Sequence, residues 1–192
     1  MKIIYTKDKE FKTEFENILK RAKSDIKGVS KIVENIIDEI VEDGNEALKK
    51  HIEKFDKWSV KSDDELLISQ KDMKKAYETL DESLKKSLHI AYERIKAYHE
   101  KQLPKSWIDF EENGTILGQK VTAVDKAGLY IPGGKAAYPS SLLMNAIPAK
   151  VAGVKEVVVC TPTPNNEVNE LLLAACHLCG VSKVYKVGGA SA

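Results

Sequence analysis

Apolar residues in the first half of the chain recur at helical spacing. Phe11, Phe15, Ile18, Leu19 and Ala22 form one stripe, and Val29, Ile32, Val33, Ile36, Ile37, Ile40 and Val41 form a second without a break. Spacings of three and four place such residues on one face of a helix. Asp43-Gly44-Asn45 ends the second helix, because glycine accepts the left-handed backbone common just past a helix end. Ala47, Leu48, Ile52 and Phe55 predict a third helix that stops near Asp56-Lys57-Trp58. Ser69, with Asp72 three residues on, has the form of a capping box. Asp81 is placed to cap a further helix whose Leu84, Leu88, Ala91, Ile95 and Tyr98 share a face. That helix ends before Pro104, since the residue preceding a proline resists helical angles.

The texture then changes. Trp107 to Phe110 and Thr115 to Val124 flank Glu111-Glu112-Asn113-Gly114, and Asn-Gly favours a hairpin turn. From Ala127 onward strand and helix patterns alternate. The expected strands are Ala127 to Ile131, Glu156 to Cys160 and Lys183 to Val187. The expected helices are Ser140 to Ala152, entered through Pro139, and Glu167 to Cys179, closed by Gly180. Strand-helix-strand-helix-strand is half of a doubly wound α/β fold with parallel strands. The chain would end just past its third strand and leave a sheet edge to be covered.

Composition narrows the function classes. Thirty Lys and Arg against 29 Asp and Glu leave a net charge of +1, so no global field draws the chain to nucleic acid or an acidic membrane. No apolar run approaches the roughly 18 residues that span a bilayer, and the N-terminal MKIIYTKDKEFK is too short a run for a signal peptide. Three cysteines, an odd number, fit reduced thiols in a cytoplasm.

The candidate chemistry lies in Gly128-Leu129-Tyr130-Ile131-Pro132-Gly133-Gly134, which runs into Lys135-Ala136-Ala137-Tyr138-Pro139. It joins the carboxyl end of a strand to a helix start, where open α/β sheets bind ligands. Paired glycines let a backbone approach a ligand, and a helix start offers unpaired amides. The spacing is not G-x-G-x-x-G, and a tight turn needing glycine for its angles explains the run equally well. Cys176-His177-Leu178-Cys179 lacks the second pair that a structural zinc site wants. Its place at the end of an apolar helix suits buried small hydrophobes. His51, His89 and His99 fall in helices with no ligand cluster beside them and read as partly solvated.

The run AGLYIPGGKAAYPSSLLMNAIPAKVAGVKEVVVCTP closely resembles the signature region of histidinol dehydrogenases. The resemblance extends through LGQKVTAVDKAGLY and CGVSKVYKVGGASA and back to DGNEALKKHIEKFDKW and YHEKQ, which holds His99 and Gln102. It implies a helical region with a β-hairpin over residues 1–126. Residues 127–192 would then be the first half of a Rossmann-like, aldehyde-dehydrogenase-like NAD-binding domain. It further implies a zinc-dependent homodimer that oxidises L-histidinol to L-histidine with NAD, in two hydride transfers. On this resemblance Tyr130 contacts NAD, with Gly133 and Gly134 in the same loop. Ser191 is the second candidate NAD contact on this resemblance: it stands where the family's V-G-G-A-Q-A carries an NAD-contacting glutamine, although serine lacks that amide's reach and its two-sided hydrogen bonding.

In that family the zinc ligands and the Glu-His pair that handles protons lie in a later half, so the 192-residue chain is expected to be inactive alone. Two other readings stay open. One is a non-catalytic dinucleotide- or partner-binding module built from this half; the other is a related oxidoreductase acting on another amino alcohol.

Overall fold

A computed structural model describes residues 3–21, 26–133 and 138–192, with backbone alone at 21, 26 and 27. The chain divides into two compact units, Met1–Gly44 and Asn45–Ala192. The first holds α1 (Phe11–Arg21) and α2 (Ile26–Asp43). Both helices form where the apolar stripes predict them, although Ala22 lies outside the described residues. Phe11 stacks on Phe15 at 5.5 Å between ring centroids. Gly44 closes α2 at φ +57, donating its amide to the Ile40 carbonyl. Val29, Ile32, Ile37 and Val41 of the α2 stripe are exposed.

The second unit begins with α3 (Asn45–Asp56), a 3-10 turn (Asp63–Leu66) and the two-residue strand β1 (Leu67–Ile68). Next come α4 (Gln70–Thr79) and α5 (Glu82–Glu100), whose starts the sequence signals well. The Ser69 hydroxyl accepts from the Asp72 amide, and the Asp81 carboxylate accepts from the amides of Ser83 and Leu84. Each cap satisfies donors that a helix start leaves unpaired.

The hairpin pairs β2 (Trp107–Phe110) with β3 (Ile116–Gln119), so β3 is shorter than the apolar run to Val124 suggests. Its turn closes through the Glu111 amide on the Thr115 carbonyl, with Gly114 at φ +86.

The remaining elements are β4 (Lys126–Tyr130), α6 (Pro139–Val151), β5 (Glu156–Cys160), α7 (Glu170–Leu178) and β6 (Lys183–Tyr185). The helix expected from Glu167 starts three residues later. Pro164–Asn166 forms a 3-10 turn with Asn165 and Asn166 at positive φ, and the Asn169 side chain takes the cap by accepting from the Leu172 amide.

The sheet order is β1-β6-β5-β4. Strands β4, β5 and β6 are parallel, in the doubly wound pattern, while β1 adds antiparallel to β6. The β6 edge expected to be bare is therefore paired by a strand too short to leave a hydrophobic signature.

Both crossover helices pack on one sheet face. Val157, Val159 and Val184 sit with Leu142, Leu143, Ala146 and Ile147 of α6 and with Leu172 to Cys176 of α7, all buried. Met73 and Ala76 of α4 and Leu88 of α5 join the same core. Each Val, Leu, Ile or Met side chain among them contributes about 1.5–3 kcal/mol when fully buried. The opposite face is more open, with Gly128 and Tyr130 exposed and Val158 and Cys160 partly buried. Among the described residues no helix is long and apolar enough to cross a membrane.

Candidate functional site

Three parallel strands deliver three loops to one end of the sheet. Tyr130 and Cys160 are register partners, the Ile131 amide bonds the Cys160 carbonyl, and the Thr161 amide bonds the Tyr185 carbonyl. The chain after β5 is thereby held between the chains after β4 and β6. Pro162 fills the gap so closely that a Cβ on Gly133 would stand 2.7 Å from its carbonyl oxygen, and one on Gly188 would overlap its ring. Gly133 therefore has a packing reason to be glycine, independent of any ligand. Gly134 lies outside the described residues.

Tyr130 ends β4 half-exposed, and its hydroxyl accepts a hydrogen bond from the Gly189 amide at 3.1 Å. Gly189 opens a 3-10 turn (Gly189–Ser191) at φ +64, a backbone region that favours glycine. Ser191 Oγ lies 2.9 Å from His51 Nδ1 on α3. Tyr130 and Ser191, far apart in sequence, thus meet on one short turn.

Two concavities flank the Pro162 crest. One, of about 420 Å³, lies on the open sheet face between Gly128, Tyr130, Val158, Cys160, Gly189 and Ala190. The other, of about 830 Å³, lies beside Pro132, Gly133, Thr161, Asn165, Glu167 and Glu170. Both volumes suit a small organic ligand or part of one.

Thr161 and Thr163 are almost wholly buried beneath the crest, and the Thr163 amide donates to the Asp56 carboxylate at 3.0 Å. A buried carboxylate needs such partners, so Asp56 fixes the loop after β5 to the end of α3. Lys186, just past β6, lies 4.6 Å over the Trp58 ring and donates to Asn166 Oδ1 at 2.9 Å. Burial lowers its pKa.

The cysteines do not form a cluster. Cys176 and Cys179 are buried free thiols in and just after the last turn of α7. Burial pushes the Cys179 thiol up to about 12 and raises that of Cys176 as well. Cys160 lines the Tyr130 groove, and partial burial also raises its thiol. Among the described residues no three His, Cys, Asp or Glu side chains converge to hold a metal ion.

One histidine differs from its expected surroundings, while exposed His89 and partly buried His99 match them. His51 is 5 % exposed, not on a solvated face. His99 pairs with Gln102 at 2.7 Å, and His89 with the Tyr77 hydroxyl at 2.6 Å. Sequence reasoning missed the parts played by His51, Asp56 and Pro162. Their one signal was membership of the family-like segments, since partners tens of residues away for Pro162, and more than a hundred for His51 and Asp56, leave no local pattern.

A sequence model described as histidinol dehydrogenase matches residues 19–192. The chain is 68% identical over 187 residues to the histidinol dehydrogenase of Sulfurimonas denitrificans, covering 97% of this chain and 44% of that protein. It is 61% identical over 192 residues to that of Helicobacter hepaticus, again covering 44% of it. The crystal structure of histidinol dehydrogenase from Elizabethkingia anophelis superposes with a TM-score of 0.77 at 27% identity, over 85% of this chain and 37% of that one. The chain thus spans less than half the length of the curated relatives it matches.

Proposed function

Because this chain belongs to the histidinol dehydrogenase family, we propose that it supplies the dinucleotide-binding side of an NAD- and zinc-dependent enzyme that oxidises L-histidinol to L-histidine. The complete enzyme would work as a cytoplasmic homodimer in histidine biosynthesis, and these finer assignments rest on the family.

The observation that carries the reading is the groove beside Tyr130. It opens at the carboxyl ends of parallel strands, the end at which open α/β sheets take nucleotides. Its floor is small or apolar at Gly128, Val158 and Ala190, which leaves room for a planar ring against the Tyr130 face. Bound NAD would supply the hydride acceptor. The Gly189 amide occupies a lone pair of the Tyr130 hydroxyl, and the hydroxyl keeps its own proton to donate to a ligand oxygen. Gly133 and Gly188 let the three loops close to the distance that Pro162 sets. No described group in the groove is suited to take the proton released as hydride leaves: Tyr130 is a phenol, and burial holds the Cys160 thiol protonated.

Zinc does not fit the described residues. Among them no three His, Cys, Asp or Glu side chains converge, and Cys176 and Cys179 are buried on α7 and just past it without a third such group beside them. We therefore assign the metal ligands, the base and most of the substrate contacts to the length of the relatives that this chain does not span.

Equilibrium titration of the purified chain with NAD tests the reading. Saturable binding is expected, weakened roughly five-fold in Tyr130→Phe, the effect of one neutral hydrogen bond. Equal affinity of the two proteins would remove Tyr130 from the site. Formation of NADH from histidinol by this chain alone would overturn the half-site assignment.

A further inference from the structure

The turn that carries Ser191 has little to hold it from within. It is three residues long, its start has no side-chain cap, and its closing bond, Ala192 amide to Gly189 carbonyl, is 3.4 Å. So short a 3-10 segment does not persist unaided. Two contacts hold it from outside: the Tyr130 hydroxyl on the Gly189 amide at its first residue, and His51 Nδ1 on Ser191 Oγ at its last. His51 is itself fixed, 5 % exposed with its ring 6.1 Å from that of Phe55 one helical turn on. The helix bearing it is tied to the neighbouring loop by Asp56 on the Thr163 amide.

We infer that His51 is a positioning residue. It latches Ser191 so that the Gly189–Ser191 turn seats its first amide on Tyr130, and α3 thereby sets the wall of the Tyr130 groove. Ser191 serves the site by facing α3. A glutamine at 191 would have to give up this bond or bend its longer side chain to keep it. The effect on cofactor affinity rests on the dinucleotide reading above; the latch does not.

Amide hydrogen exchange on the 192-residue chain tests the latch without any ligand. His51→Ala and Ser191→Ala should each speed exchange at Gly189 and Ala192, the turn amides bonded to Tyr130 and to the Gly189 carbonyl, roughly five-fold, as expected for one neutral hydrogen bond. The double variant should be no faster than either single one, because both remove the same bond. His51→Asn, which keeps a donor and an acceptor near the Nδ1 position, should restore much of the protection, whereas a residue needed only to fill space would not be rescued. Titration with NAD should show the same rank order, weakest in the two alanine variants.

Unchanged exchange at Gly189 in Ser191→Ala, or an additive double variant, would sink the proposal. Faster exchange with unchanged NAD affinity would overturn the positioning role. If His51→Ala fails to fold, Ser191→Ala, at a partly buried position, decides on the same readouts. If the wild-type chain binds no NAD, the cofactor reading falls, and the exchange data still decide for or against the latch.

Discussion

Replacing Gly188 by alanine probes the packing that brings the three strand-end loops together. Gly188 has φ −129 and ψ 170, extended values open to any residue, so the substitution carries no backbone penalty. Its cost is steric. The new Cβ would overlap Pro162 Cβ and approach its Cα to 2.9 Å. The proline ring cannot swing aside, because it is closed onto its own backbone nitrogen. Retreat is limited further by Gly133, whose own Cβ position is 2.7 Å from the Pro162 carbonyl oxygen. Overpacking of this kind costs about 1–3 kcal/mol. In a unit of about 150 residues each kcal/mol lowers Tm by about 2–4 °C, so Gly188→Ala should melt about 2–12 °C below wild type. Thermal scans by circular dichroism at fixed protein concentration measure this. Gly128→Ala is the internal control, since a Cβ there meets nothing within 4 Å. It should leave stability within about 0.5 kcal/mol while narrowing the Tyr130 groove and weakening NAD. A Gly188→Ala protein that melts with wild type, or a Gly128→Ala protein that is equally destabilised, would refute the crest geometry.

Three further outcomes follow from the same structure. Asp56→Ala should cost about 1–3 kcal/mol in urea unfolding, because it strands the buried Thr163 amide, and Asp56→Asn should cost less by keeping an acceptor. Cys176 and Cys179 stay protonated in the folded chain but ionise near pH 8.5 once unfolded. Their raised folded pKa means that stability is intact below about pH 8.5 and falls as pH rises toward 12, by about 1.4 kcal/mol per pH unit per thiol. The slope of stability against pH in that range should flatten in Cys176→Ala relative to wild type; an unchanged slope would contradict the assignment. Glu156 accepts from Lys126 at 2.9 Å and from Lys183 at 3.3 Å, and these bonds hold its pKa below the usual carboxylate value. The stability it contributes is present above about pH 4.5 and is lost as pH falls through its lower folded value. Glu156→Gln should therefore flatten the acid side of a stability-pH curve, and added salt should mimic it in part.

The amino-acid sequence by itself determined the elements and the family. Period and caps placed the helices to within a few residues, because a helix is closed by bonds between near neighbours and its start is signalled by one side chain, as at Ser69 and Asp81. The alternating second half implied parallel strands, since apolar strands joined through helices have few other ways to pair, and the long run around Tyr130 carried the resemblance. Tertiary structure alone decided how the site is built. That β1 covers β6 rests on two residues with no periodicity to read. That Gly133 is needed for Pro162, that Asp56 grips the Thr163 amide and that buried His51 meets Ser191 are contacts across 29, 107 and 140 positions. Separations of that order are bridged by how α3 and the loops after β4, β5 and β6 meet at one end of the sheet, and no local pattern records them. Ser191 shows the division: in sequence it is a departure from the family's glutamine, and in the folded chain it is the hydroxyl that His51 holds.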